Sequence, residues 1–280
     1  MKHLTKNNIT EFQNTIYDYY DHYKRNLPWR NVDDPYKILV SEIMLQQTQV
    51  DRVIPKFSEF IKTFPTINTL ADAELREVLI AWQGLGYNRR AKGLHNCAKS
   101  VIEKHNGKIP DKTEDLIALP GVGKYTAAAI QAFAFNLPSI VIETNIRTVF
   151  IHFFFNNKKE IDDKEIAPLI KQTLDKKSPK DWYNALMDYG TSLKNKLGNL
   201  SKRSKHYTKQ NKFHGSDRQI RGIIITILSK NKKMDEKNII SEIKKITKNN
   251  NQKNIRRIKH NLHILIEENM IKKAGNKYIL

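Results

Sequence analysis

Glu42 stands inside an apolar stretch, with Ile38 and Leu39 before it and Ile43, Met44 and Leu45 after it. Desolvation in such a place disfavours the charged carboxylate, raises its pKa and keeps a proton available near neutral pH, which is what a general acid needs. A second chemical pattern is Leu119-Pro120-Gly121-Val122-Gly123-Lys124-Tyr125-Thr126-Ala127. It lies between a short helical pattern at 113–119 and an apolar one at 127–135. The two glycines permit a tight turn through backbone conformations barred to other residues. The helix that follows then starts with free N–H groups and the positive end of its dipole, an anion site that suits a phosphate.

Composition points to a polyanion as well. The 280 residues carry 49 Lys and Arg against 29 Asp and Glu, a formal +20. No apolar run reaches membrane length, so nucleic acid is the expected partner and a bilayer is not. The first six residues lack a signal-peptide apolar core, which predicts a cytoplasmic, nucleoid-associated protein. The single cysteine, Cys97, excludes an intrachain disulfide and a cysteine-ligated cluster held by this chain alone. Nine scattered histidines give no metal-ligand spacing.

The elements that must position these residues read as helices almost throughout residues 1–200. Periodicity places them at about 8–25, from Asp34-Pro35-Tyr36 through Leu45, 49–63, 69–82, 89–105, 113–119, 127–135, 144–155 and 163–190. The apolar, β-branched segment 139–142 is too short and isolated to need a sheet. Residues 201–215 form a linker within a basic stretch, 194–215, that lacks an apolar period and reads as an exposed loop. Ser216-Asp217-Arg218-Gln219 is a capping-box pattern opening three amphipathic helices, and 271–280 reads as a β-hairpin turning at Gly275-Asn276. Three helices and a terminal hairpin resemble a winged helix, so 216–280 is expected to form a separate module, its third helix presenting Lys253, Arg256, Arg257 and Lys259.

Residues 27–192 resemble the helix-hairpin-helix DNA glycosylase superfamily, and within it the adenine glycosylases that act opposite 8-oxoguanine. The resemblance rests on Leu27-Pro28-Trp29-Arg30, the run Ser41 to Val50, Gly84-Leu85-Gly86-Tyr87, the hairpin, Glu143-Thr144-Asn145 and Ala185-Leu186-Met187-Asp188-Tyr189-Gly190, in the family's order. It implies an all-α, two-lobed fold and an enzyme that hydrolyses the N-glycosidic bond of adenine mispaired with 8-oxoguanine or guanine. The substrate would be double-stranded DNA bound by a monomer. Such a reaction needs one acid for the leaving base and one anion under the cationic sugar, the division of labour seen between two carboxyls in glycoside hydrolysis.

Residue by residue, the resemblance makes Glu42 the general acid, Glu143 the carboxylate that stabilises the sugar cation, and Asn145 a group ordering that site. Tyr125 occupies the position where bifunctional relatives carry a lysine nucleophile, and a tyrosine cannot form an imine, so a monofunctional enzyme is expected. Gln47 and Tyr87 match residues that wedge into the base stack, with Gln46 and Thr48 beside them on the DNA side. Arg30 matches a pocket arginine. Gly121, Val122, Gly123 and Lys124 would meet phosphate, with room for a bound monovalent cation at the hairpin.

Three departures qualify the match. Glutamate at 143 replaces the family's aspartate, and the extra methylene moves the carboxylate by about 1.5 Å, enough to alter rate strongly. The four-cysteine iron–sulfur loop is replaced by the basic stretch, so no cluster is expected and Lys202, Arg203 and Lys205 are assigned to DNA. The usual C-terminal lesion-reading domain is replaced by the winged-helix-like module. A thymine or uracil mismatch glycosylase of the same fold, or a DNA-binding protein that has lost catalysis, therefore stay open as alternatives.

Overall fold

Helices begin where short polar side chains can take up the first free N–H groups. Thr5 accepts from Asn8 N, Thr66 from Thr69 N, Asp162 from Lys164 N, Ser216 from Gln219 N, Asp235 from Asn238 N and Asn251 from Asn254 N. A computed structural model describes residues 3–231 and 233–280. In chain order it has helices α1 (Lys6–Tyr23), α2 (Pro35–Leu45), α3 (Val50–Thr63), α4 (Ile67–Asp72), α5 (Leu75–Ala81), α6 (Arg89–His105), α7 (Thr113–Ile117), α8 (Lys124–Phe135), α9 (Thr144–Phe154), α10 (Asp163–Thr173) and α11 (Pro179–Leu197). A 3-10 turn, Leu200–Arg203, leads to α12 (Asp217–Lys230), β1 (Met234–Asp235), α13 (Glu236–Thr247), α14 (Gln252–Glu267), β2 (Lys272–Ala274) and β3 (Lys277–Ile279). Among the described residues no helix is long and apolar enough to cross a membrane.

Two expected helices are each broken in two, for local reasons. The span 69–82 divides because Glu74 caps a new helix and its N–H donates to Glu77 at 2.9 Å. The span 163–190 divides because Asp175 accepts from the Lys177 and Ser178 N–H groups at 2.9 and 3.3 Å, and Pro179 then starts α11. The basic stretch is not uniformly an open loop. Lys194 to Leu197 belong to α11, Ser201 and Ser204 are buried, and Ser204 forms a parallel bridge with Ile161.

The chain divides into two compact units. The first contains residues 1–42, 109–118 and 122–209. Its core forms where α9 and α11 pack along each other, around Phe150, Trp182 and Tyr183, all without solvent exposure. Phe12 of α1 meets the rings of Phe150, Phe153, Phe154 and Trp182 edge-on at 5.0–5.7 Å. The second unit contains 43–108, 119–121 and 210–280. Its core includes Phe60, Leu70, Leu79, Trp82 and Leu94. Here Arg76 and Gln83 bind the backbone and hydroxyl of Ser229 on α12 at 3.0 and 2.9 Å. The C-terminal residues thus belong to the unit of 43–108, a division that differs from the expected 1–200, 201–215 and 216–280. Beyond the expected hairpin, β1 adds a strand to make an antiparallel sheet of order β1-β3-β2, with buried Tyr278 paired to both Met234 and Lys273.

Asp188 and Gly190 on α11 set how the first unit closes. Asp188 is buried and takes Arg30 through both carboxylate oxygens at 2.7 Å, together with the Arg25 side chain at 2.5 Å and backbone N–H at 3.0 Å. Burial alone would raise its pKa, but the hydrogen bonds and charges of Arg30 and Arg25 hold it below the usual carboxylate range. Two residues on, a Cβ at Gly190 would lie 2.4 Å from the Asn145 carbonyl oxygen. Gly190→Ala is therefore expected to push α9 off α11 and cost about 1–3 kcal/mol, read as a lower urea midpoint. An unchanged midpoint would mean that the helices yield without strain.

Candidate active site

α2 is apolar on nearly every side: Ile38, Leu39, Val40, Ile43 and Met44 are at most 2% exposed. A helix of that kind is buried all round. Asp34 starts it by accepting the Tyr36 N–H at 2.9 Å. Glu42 is carried into the same environment and is 6% exposed. The Tyr125 hydroxyl, from the first turn of α8, donates to Glu42 Oε2 at 3.0 Å. Burial pushes the Glu42 pKa up to about 7; the Tyr125 hydrogen bond opposes this and the charge of Glu143 adds to it. The Tyr125 hydroxyl is raised well above its ordinary value by burial and by both carboxylates, so it stays protonated and donates.

Glu143 is the N-cap of α9. Its Oε1 accepts the Asn145 and Ile146 N–H groups at 2.7 and 2.9 Å, and its Oε2 accepts from the Asn145 side chain at 3.3 Å. Burial raises its pKa, while those hydrogen bonds and Arg147 pull the other way. The helix dipole also favours an anion at this end. Arg147 is fixed by a bidentate pair with Asp163 at 2.7 and 2.8 Å. The structure thus brings Glu42, Tyr125, Glu143 and Asn145 into one electrostatically coupled group. One carboxyl is suited to carry a proton and the other is oriented by a helix N-terminus.

The hairpin uses its glycines unequally. Gly121 has φ +79° and lies against Gly93, where a Cβ would come within 3.4 Å of backbone atoms. Gly123, expected to need similar freedom, is extended at φ −93°, and a Cβ there would meet no atom within 4 Å. Gly121, Gly123 and Lys124 are exposed, while Val122 is buried.

Several expected DNA-contacting residues are committed within the protein. Arg30 is 9% exposed and its guanidinium is consumed by Asp188 and the Arg25 carbonyl, so it buttresses α2 and α11 and is corrected from a DNA contact to a structural group. Arg203 is likewise turned inward onto the carbonyls of Phe155 and Lys158, a second correction. Lys202 and Lys205 are exposed.

In the second unit, Arg90 was not apparent from the sequence. It donates to the Ile43, Met44 and Gln46 carbonyls at 2.6–2.8 Å, the Thr48 hydroxyl at 3.0 Å and the Leu85 and Gly86 carbonyls at 3.2 Å. It closes the C-terminal end of α2 and ties two loops together. Thr48 is thereby a ligand of Arg90. Gln47 and Tyr87, in those loops, have left-handed backbones with φ +55° and +49°, strain that only over-determined surroundings maintain. Gln47 is exposed; the Tyr87 hydroxyl accepts from Gln210 at 2.8 Å and from Arg218.

Cys97 is buried in α6, where burial pushes its thiol up to about 12, so a four-cysteine cluster does not fit this chain. Among the described residues no group of three or more His, Cys, Asp or Glu side chains is placed to hold a metal ion.

A helical scaffold with a hairpin and a paired-carboxyl site is the arrangement of a base-excision glycosylase fold. Residues 40–176 match the family model described as HhH-GPD superfamily base excision DNA repair protein, and through them the chain belongs to that family. It is 42% identical over 187 residues to an adenine DNA glycosylase of Buchnera aphidicola subsp. Baizongia pistaciae, covering 65% of this chain and 52% of the relative. It is 45% identical over 135 residues to an adenine DNA glycosylase of Mycolicibacterium smegmatis, covering 48% and 46%. The matched part thus spans about half the length of these relatives. Among solved structures, a thermostable thymine-DNA glycosylase superposes with TM-score 0.59 at 27% identity, covering 65% of this chain and 85% of that one. An endonuclease III trapped on DNA superposes with TM-score 0.57 at 20% identity, covering 68% and 88%, and shows the shared fold.

Because the folded pKa of Glu42 lies above that of an unfolded glutamate, folding is favoured at low pH and loses stability as pH rises toward about 7. Glu42→Gln is therefore expected to melt above the wild type at pH 8 and closer to it at pH 5. Tyr125→Phe, which removes a bond that favours the carboxylate, should move the Glu42 titration further up in carbon NMR spectra. A Glu42 titrating near 4.5, the ordinary glutamate value, would show that the site is wet.

Proposed function

We propose that this chain is a monofunctional DNA glycosylase of base excision repair that releases adenine mispaired with guanine or 8-oxoguanine. The observation that carries the reading is the buried Glu42, poised near pH 7 beside Tyr125 and Glu143. The identity of 42–46% to proteins named adenine DNA glycosylase favours adenine over a pyrimidine.

The target base is taken out of the stack, since its glycosidic bond is out of reach within a duplex. Glu42 gives its proton to a ring nitrogen of the base. The C1′–N9 bond breaks with its electron pair leaving on the base, and the sugar becomes an oxocarbenium ion. The Glu143 carboxylate stabilises that cation. Water adds at C1′ and its proton returns to Glu42. Tyr125 holds Glu42 in place and offers no amine, so the product is an intact strand with an abasic site. With one buried cysteine, we read the enzyme as working without an iron–sulfur cluster. It would act as a monomer on nucleoid DNA, with residues 216–280 serving as a winged-helix-like module and Lys202 and Lys205 as phosphate contacts.

In single-turnover assays, adenine release opposite 8-oxoguanine is expected, with strand cleavage only after alkali. Glu42→Gln should bind the same duplex and lose at least about 100-fold in release, the usual scale of general acid catalysis. Release from thymine or uracil opposite guanine in place of adenine would move the pocket to a pyrimidine glycosylase. Tight binding with no release from any duplex would mark a lost activity.

A further inference from the structure

The second unit holds a cavity of about 400 Å³ that the glycosidic chemistry does not use. Tyr87, Arg90, Arg218, Arg221 and Glu268 line it, and the buried Leu265 and Met270 supply an apolar wall. Its size is that of a small-molecule pocket. Arg218 and Arg90 lie over the Tyr87 ring at 4.6 and 5.5 Å from its centroid.

Its hydrogen bonding is incomplete. Glu268 Oε1 takes Arg89 at 2.7 Å and Arg221 at 3.3 Å, yet Glu268 Oε2 is buried without a partner. Arg218 Nε and Arg90 Nε are also buried and unpartnered, although the rest of each guanidinium is engaged. Three of the four such side-chain atoms among the described residues therefore sit on residues lining this one cavity. Buried polar groups are ordinarily satisfied, and a cluster that is not marks a place for a ligand.

The unmet set is two N–H donors and one carboxylate oxygen. A simple anion would face the Glu268 oxygen, and a simple cation would face the arginines. A guanine-type base meets both: O6 and N7 accept from arginine, its N–H groups donate to a carboxylate, and its flat faces suit the apolar wall and guanidinium planes. We propose that this cavity receives the guanine or 8-oxoguanine opposite the excised base, with Glu268 and Arg218 as the residues that read it. This rests on the function proposed above, and it assigns opposite-base reading to the C-terminal residues of this chain. 8-Oxoguanine replaces the N7 acceptor with an N–H, which adds a donor for Glu268.

The test uses the full chain with Glu268→Gln and Arg218→Lys, both checked by thermal melting. Binding is measured by fluorescence anisotropy on duplexes with a tetrahydrofuran abasic analogue opposite 8-oxoguanine, guanine, cytosine or thymine. Adenine release is measured opposite the same four bases. The wild type is expected to bind the 8-oxoguanine and guanine duplexes at least 10-fold more tightly than the pyrimidine ones. Each variant should cut that preference about 10-fold while leaving the pyrimidine duplexes unchanged. A wild type without preference, or variants that weaken all four duplexes equally, would overturn the proposal. If one variant fails to fold, the other decides. The binding arm needs no catalysis, so a Glu268-dependent preference without adenine release would sink the proposed reaction and spare the pocket, whereas release with an unaltered preference in the variants would do the reverse.

Discussion

Asp188 places one buried negative charge against two guanidinium groups, and the first unit is arranged around it. Neither partner is cheap to bury alone; together they satisfy each other's hydrogen bonds as well as their charges. The pair ties the chain just before α2 to α11. Gly190, two residues further along α11, lets that helix approach the start of α9 closely enough to fix Glu143 and Asn145. One helix therefore positions both carboxyls of the candidate site without touching the reaction.

The two carboxyls are made unlike by their surroundings. Glu42 lies in an apolar helix with a single hydrogen-bond donor, so burial dominates. Glu143 lies at a helix N-terminus with two backbone N–H groups and a side-chain amide, each favouring its ionised form. Separate roles for two chemically similar groups follow from that difference in solvation, as in other enzymes that run acid and anion chemistry from a pair of carboxyls. The substitution of glutamate for aspartate at 143 is accommodated by the longer side chain capping α9 through Oε1.

The second unit shows the same economy with arginine. Arg90, brought down to about 10 by burial, organises the ends of two loops and holds Gln47 and Tyr87 in left-handed conformations. C-terminal residues Gln210 and Arg218 converge on the Tyr87 hydroxyl. The replacement of the family's lesion-reading domain by a shorter module thus leaves a chemically distinct surface next to the same tyrosine.

The sequence by itself determined the helical class, the hairpin with its glycine at positive φ, and the pairing of Glu42 with Glu143, because apolar periodicity, turn chemistry and a motif run are local properties written in consecutive residues. It also showed that one cysteine cannot build a cluster. It did not determine what Arg30, Arg203 and Arg90 do, since a cation looks the same in a sequence whether it faces water or a ring of carbonyl and hydroxyl oxygens. Nor did it show that 210–280 joins 43–108 in one unit, or that three unpartnered polar atoms meet in one cavity. Those features depend on which distant segments share a core, and only the tertiary structure brings such segments into contact.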